Sequence, residues 1–317
     1  MKSGGRNVEC ILKNTKEYGK IMGKRFSVGI EEWKPKDLKP TVFIREILGD
    51  IGEINTEIKN IIIDNKIRNV FPKEVLKEVN QIKEKKENKE KREDYTKPLT
   101  FTIDPDNAKD FDDALSFKKL ENNIFEIGVH IADVSSYVRP DTELDKEARK
   151  RGTSVYLANK VVPMLPEKLS NEICSLEPKK NKRAFSIIFT IDKEGNILKE
   201  RAAKTTILSD YRLTYSEVQS IIENDKESKN KNKKLEKPIK TVNEISKKIR
   251  NKRRERGAIF FNKKEVGFKF KREKIEGTFL KESKESHKMV EEFMLLANIG
   301  VAEKLKRKAI FRIHDKP

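Results

Sequence analysis

"TIDPDNAKDFDDA", residues Thr102 to Ala114, places Asp104, Asp110, Asp112 and Asp113 within ten residues, with a fifth aspartate at Asp106, in a chain that is otherwise strongly basic. Four carboxylates this close repel one another, and a fold keeps them ionised only if cations, amide donors or water offset the charge. A divalent metal is the simplest such partner. Hard Mg2+ or Mn2+ takes oxygen ligands and retains water and substrate phosphate oxygens, which suits a site that cuts a phosphodiester bond. Two ions about 4 Å apart would stabilise both the attacking and the leaving oxygen. Asp110 and Asp112, two residues apart, share a side of an extended segment, while Asp104, just before Pro105, reaches back across the loop. Asp113 points the other way, or onto a second ion. An EF-hand calcium loop starting at Asp104 fails, because Ala108 and Lys109 stand where a ligand and a glycine are needed and Leu115 replaces the terminal glutamate. A solvated acidic turn or a helix N-terminal cap would also account for the spacing, and the residues alone leave that open.

The flanks make the acidic stretch a loop between strands. "PLTFTI" (98–103) reads as a short strand, and in "IFEIGVHIADV" (124–134) Phe125, Ile127, Val129 and Ile131 alternate at period two. "AFSIIFTI" (184–191), a "DKEGN" turn (192–196) and "AAKTTIL" (202–208) predict a hairpin. "TYSEVQSII" opens a helix, since Thr214 and Glu217 have capping-box spacing. Residues 224–240 read as an exposed excursion, after which Val242, Ile245 and Ile249 mark a helix stripe ending at Gly257. Met289, Phe293, Leu296 and Gly300 beside Val290, Met294, Ala297 and Val301 predict a helix packed on most sides. Upstream, "RFSVGI" and "TVFIREIL", punctuated by "KPKDLKP", suggest a small β module over residues 1–50 that is short or incomplete. Residues 51–97 form a connector of helical pieces that ends in "IKEKKENKEKRED" (82–94), read as a solvated helix or linker, with a boundary near Pro98. Residues 98–317 make the main domain, of mixed α and β class, with no internal repeat.

Lys and Arg number 71 against 52 Asp and Glu, a net charge of +19 over 317 residues, which points to a polyanion and to nucleic acid before an anionic membrane surface. No apolar run approaches the roughly 18–20 residues a membrane span needs, and "MKSGGRNVEC" carries no apolar signal core, so a cytoplasmic protein is expected. Cys10 and Cys174 are too few for a disulfide framework or a thiolate zinc site, and His130, His287 and His314 are widely scattered. Cys174 reads as a small buried residue, not a nucleophile. His130, in a predicted strand without a partner at ligand spacing, reads as a hydrogen-bonded structural histidine; the role of His314, near Arg312, stays open.

The acidic loop, followed by "GVHIADVSSYVRP" (128–140), "LDKEARKRGTSVYLANKVVPMLPEKLSNEICSLEP" (144–178), "RLTY" (212–215), "RGAIFF" (256–261) and "FRIHDKP" (311–317), resembles the catalytic domain of the ribonuclease R and ribonuclease II family, nearer ribonuclease R. The resemblance covers about residues 75–317. It implies an α+β fold: a mixed-sheet RNB-type catalytic domain with surrounding helices, preceded by an incomplete cold-shock or OB-like module. It also implies a monomer that degrades single-stranded or 3′-tailed RNA processively from the 3′ end, releasing nucleoside 5′-monophosphates with Mg2+, or Mn2+ in its place. The family's four acidic positions fall on Asp104, Asp110, Asp112 and Asp113, with Asp112 positioning a metal and the attacking water. Its two base-clamping aromatics fall on Tyr156 in "GTSVY" and Phe261 in "RGAIFF". Stacking accepts any base and is worth about 1–3 kcal/mol per base, although each ring could equally be a core residue. Arg149, Lys150, Arg151, Arg253, Arg254 and Arg256 could line a phosphate-tracking channel or form solvated helix faces; Arg256 is the one singled out for RNA.

Two departures set further expectations. Family members usually begin with cold-shock barrels bearing surface aromatics, whereas residues 1–50 lack such a strand, and residues 39–79 resemble the end of a second barrel and its connector. The chain stops at Pro317, before the family's S-P-x-R-R-Y-type motif and S1 domain. The alternative expectation is therefore a catalytically inactive RNA-binding fragment, lacking the arginine that would offset transition-state charge.

Overall fold

A computed structural model describes residues 2–3, 6–13, 18–82, 91–224, 232–260, 264–271, 274–305, 309–311 and 313. Leaving the shortest pieces unlabelled, the strands in chain order are β1 (Ile11–Leu12), β2 (Lys24–Glu32), β3 (Thr41–Asp50), β4 (Glu93–Tyr95), β5 (Leu99–Asp104), β6 (Asp113–Lys119), β7 (Ile124–Ala132), β8 (Asn181–Asp192), β9 (Ile197–Leu208), β10 (Tyr211–Thr214), β11 (Glu265–Lys271) and β12 (Lys274–Lys281). The helices are α1 (Ile54–Asp64), α2 (Lys73–Gln81), α3 (Glu143–Arg151), α4 (Tyr215–Glu223), α5 (Lys233–Glu255) and α6 (Glu285–Lys304).

The chain divides into two units. The first comprises Met1–Lys73, Glu147–Met164 and Lys264–Lys281; the second comprises Glu74–Lys146, Leu165–Lys263 and Glu282–Pro317. In the first, β3 pairs in parallel with β1 and antiparallel with β2, and three register shifts along β2–β3 give the small sheet extra twist. This is the β module expected from "RFSVGI" and "TVFIREIL". Ile58 and Ile62 of α1 bury against Val162. Gly49, at φ +138°, closes the end of β3 where a Cβ would stand 2.2 Å from the Thr56 hydroxyl.

The second unit is built on a seven-stranded sheet of order β10-β5-β6-β7-β8-β9-β4, antiparallel inside and parallel at both outer pairs. Alternation gives it two unlike faces. Phe101, Ile103, Leu115, Ile127 and Phe189 form a core with residues of α4, α5 and α6, while Thr100, Thr102, Ser116, His130, Ser186 and Thr205 bury the opposite side with small or polar groups. β8 and β9 form the expected hairpin. Ile131 departs from the apolar series of β7: it sits in register with Asp113 and Phe185 and is exposed.

The capping box exists as read: Glu217 N donates to Thr214 Oγ1 at 3.1 Å and Thr214 N to Glu217 Oε2 at 2.7 Å. The exposed excursion over 224–240 is corrected from Lys233 onward, residues 225–231 lying outside the described residues. Asn232 Oδ1 caps the helix by accepting from Lys234 N at 3.1 Å, and Leu235 and Ile239 are fully buried, extending the Val242–Ile245–Ile249 stripe by two turns. Pro238 removes one backbone bond inside the helix, a loss outweighed by burial of these two side chains. The helix gives way at Gly257, φ +95°, where the sequence placed its end. Likewise the tail of "IKEKKENKEKRED" is no linker where it is described: Glu93–Tyr95 is the edge strand β4, with Tyr95 buried and Glu93 paired to Arg201 at 2.5 and 2.6 Å. Among the described residues no helix is long and apolar enough to cross a membrane.

Leu235→Ala should destabilise the protein by about 2–5 kcal/mol in chemical denaturation; an exposed position would change stability by less than about 0.5 kcal/mol.

Candidate active site

β5 ends on Asp104, only 7% exposed, and β6 starts on Asp113, so residues 105–112 form the loop predicted between strands. Both ends of this loop are tied down. Arg212, on β10, donates through Nη2 to the carbonyls of Pro105 at 2.7 Å and Asp106 at 2.9 Å. Phe111 N donates to Ser175 Oγ at 3.0 Å, Leu176 N to Phe111 O at 2.8 Å and Ala132 N to Asp112 O at 2.9 Å. The result brings carboxylates together at one end of the sheet. Alternation along β6 puts Asp113 on the face of Leu115, and Asp104 follows Thr102 on the other.

The proton affinities record this crowding. Burial pushes Asp104 up to about 6; Thr102 and the Arg212 guanidinium pull it down, and Asp110 and Asp112 push it up again. The Thr102 contact falls short of a well-formed hydrogen bond, for Thr102 Oγ1 and Asp104 Oδ2 are both buried without a partner among the described residues. Asp113 rises to about 6, first through burial and then through Asp104 and Asp112. Asp112 has a surface open to solvent, yet its carboxyl is raised by the protein packed around it and then by Asp110. Tyr215, the first residue of α4, is pushed up to about 12 by burial and then by Asp113 and Asp104, so its hydroxyl stays protonated and able to donate. Its ring stacks on His287, 4.1 Å between centroids and 5° from parallel. Burial and Lys284 lower the affinity of His287 for a proton.

These residues fit a hard divalent cation. The donors are all oxygen, Asp104 Oδ2 is buried and unsatisfied, and a cation would relieve the repulsion that raises Asp104 and Asp113. Among the described residues no three His, Cys, Asp or Glu side chains are already gathered closely enough to hold a metal, as expected when only like charges face one another.

The other sequence-predicted residues fall elsewhere. Tyr156 belongs to the first unit, on a two-residue strand paired with Val161, and is 72% exposed, which removes the core reading of its ring. Phe261, Arg312 and His314 lie outside the described residues. Arg256 is exposed at the end of α5. Arg253 is committed to the buried Glu292 at 2.7 Å, and Arg253 and Arg254 each lie 5.5 Å from the ring centre of Phe260. Arg151 is structural: it pairs with Glu147 at 3.0 Å, donates to the carbonyls of Pro163 and Val70, and covers the Phe71 ring at 3.6 Å. Arg149 and Lys150 are exposed. His130 is a fully buried neutral base, bonded through Nδ1 to Ser186 Oγ at 2.6 Å and pushed down to about 3 by burial. Burial pushes Cys174 up to about 12, which disarms it as a nucleophile. Arg212, Tyr215 and Phe260 were not singled out from the sequence, although the "RLTY" and "RGAIFF" motifs contain them.

The RNB domain family matches residues 92–317, and the Dis3-like cold-shock domain 2 matches residues 7–66. The chain is 36% identical to ribonuclease R 1 of Lactococcus lactis over 92% of its own length and 36% of the relative's. It is also 36% identical to ribonuclease R of Escherichia coli, over 94% of itself and 38% of that protein. It therefore spans well under half of these curated relatives. Its fold superposes on Mycoplasma genitalium RNase R in complex with ribose methylated single-stranded RNA, with a TM-score of 0.84 and 28% identity, covering 94% of this chain and 47% of the other.

Because the folded Asp113 carboxyl is raised above its unfolded value, the metal-free protein loses stability as pH climbs from about 4 through about 6. Asp113→Asn should therefore be more stable than wild type at pH 7 by on the order of 1 kcal/mol after allowing for solvent screening. The gain should vanish at pH 4 when both are followed by chemical denaturation without divalent ions.

Proposed function

This chain belongs to the RNB domain family, and on that premise we propose that it is a 3′→5′ exoribonuclease that hydrolyses RNA to nucleoside 5′-monophosphates. The observation that carries the reading is the set of carboxylates held at the β5–β6 end of the sheet with proton affinities raised by burial and by one another. Asp104, Asp110, Asp112 and Asp113 would hold Mg2+, or Mn2+ in its place. When bound there, such a cation supplies charge neutralisation at the scissile phosphate and makes water a better nucleophile.

The protein's own groups do the rest. Asp112, open to solvent, orients the attacking water for displacement at the last phosphodiester. Tyr215 offers a protonated hydroxyl beside Asp113 and Asp104. Tyr156, with Phe261 as its family counterpart, stacks on bases without choosing among them. Arg256 contacts phosphate, within a chain whose net charge of +19 draws RNA in. The substrate is single-stranded or 3′-tailed RNA, handled by a monomer in the cytoplasm; M. genitalium RNase R in complex with single-stranded and with double-stranded RNA supports RNA as the ligand. A second reading is RNA binding without hydrolysis, for which the net charge of +19 would be enough.

Incubated with 3′-tailed RNA and Mg2+, the protein should release mononucleotides stepwise, and Asp112→Asn should abolish release while RNA affinity stays within about twofold. Salt-sensitive binding with no product at any Mg2+ concentration would instead establish the second reading. Tyr156→Ala should weaken RNA binding by about 1–3 kcal/mol in a titration at fixed salt.

A further inference from the structure

The acidic loop is exposed over Pro105, Asp106 and Asn107, so its path depends on a few polar ties. At the far end Ser175 accepts from Phe111 N and donates to the Lys109 carbonyl at 3.3 Å. At the near end the tie is Arg212. One nitrogen of its guanidinium serves both the Pro105 and Asp106 carbonyls, while the group as a whole lies 5.7 Å from the centre of the Phe111 ring. The Pro105 carbonyl also accepts from Ala108 N at 3.1 Å, which closes the turn after Asp104. Arg212 is itself fixed, since β10 runs parallel to β5 with Arg212 in register with Thr102 and Thr214 with Asp104. Its Nε is buried without a partner among the described residues, so a charged group has been drawn partly out of water here at a cost that the loop contacts must offset.

We infer that Arg212 is a positioning residue for the acidic cluster: by clamping the backbone after Asp104 and lying against Phe111, it sets how the loop brings Asp110, Asp112 and Asp113 back toward Asp104. Its length and flat face suit this task, for a single terminal nitrogen reaches both carbonyls while the guanidinium lies toward the Phe111 ring. A lysine would keep the charge, but its ammonium ends one bond short of the Nη2 position and has no flat face to lay toward the ring. The consequence for catalysis rests on the metal-dependent reading above; the clamp itself is a property of the metal-free protein.

Wild type, Arg212→Lys and Phe111→Leu are compared by hydrogen exchange without metal and by Mn2+ binding followed by electron paramagnetic resonance. In Arg212→Lys, amide exchange over residues 106–111 should accelerate about tenfold while β7 exchanges as in wild type. Mn2+ affinity should fall about tenfold or more, the range seen when a group behind metal ligands is removed. Unchanged loop exchange, or acceleration spread equally through β7, overturns the inference. Should Arg212→Lys fail to fold, Phe111→Leu decides it, since a smaller acceleration confined to the loop is expected and none refutes the clamp. If wild type binds no Mn2+, the metal-dependent reading fails while the exchange comparison still decides Arg212.

Discussion

Mutual repulsion among carboxylates at one end of a sheet is the constraint around which the second unit is organised. Asp104 and Asp113 terminate neighbouring strands, so the ladder that builds the core also forces their charges together. Apart from the half-buried Phe111, the intervening residues offer little apolar surface, and Pro105, Asp106 and Asn107 are exposed. The work falls to hydrogen bonds from outside the loop: Arg212 on one side, Ser175 and Leu176 on the other. Tyr215 and the paired capping bonds of Thr214 and Glu217 bring the start of α4 to the same end of the sheet.

The two faces of the sheet divide structure from chemistry. The face covered by α4, α5 and α6 is filled with branched and aromatic side chains and supplies cohesion. The other buries Thr100, Thr102, Ser116, His130, Ser186 and Thr205, where hydroxyls satisfy one another: Ser186 lies 2.6 Å from both His130 Nδ1 and Thr205 Oγ1. A polar face costs burial energy unless its groups are paired. Thr102 Oγ1 and Asp104 Oδ2, at its loop end, and His130 Nε2 are left without a partner among the described residues.

Much of this was legible in the sequence because it is local. The hairpin over 184–208, the loop at 105–112 and the cap at Thr214 each follow from spacings of a few residues. What was missed depended on distant partners. Leu235 and Ile239 are isolated among lysines and announce a helix only once the core they enter is known. Glu93–Tyr95 reads as charged linker until Arg201 and β9 are placed beside it. Arg212 lies about a hundred residues from the carbonyls it holds, so no local pattern distinguishes it from the chain's many other basic residues. Arg151, conversely, sits in a basic run that invites an RNA reading, yet its charge is spent on Glu147.

The outermost strands of the large sheet are its shortest: β4 has three residues and β10 four. A strand can recruit a foreign one only where a length of unpaired backbone lies open, and a brief, charge-bearing border offers little template. The seven-stranded sheet thus ends on margins unsuited to edge-to-edge aggregation, which matters for a chain whose central strands, rich in isoleucine and phenylalanine, would otherwise be adhesive whenever they were transiently uncovered.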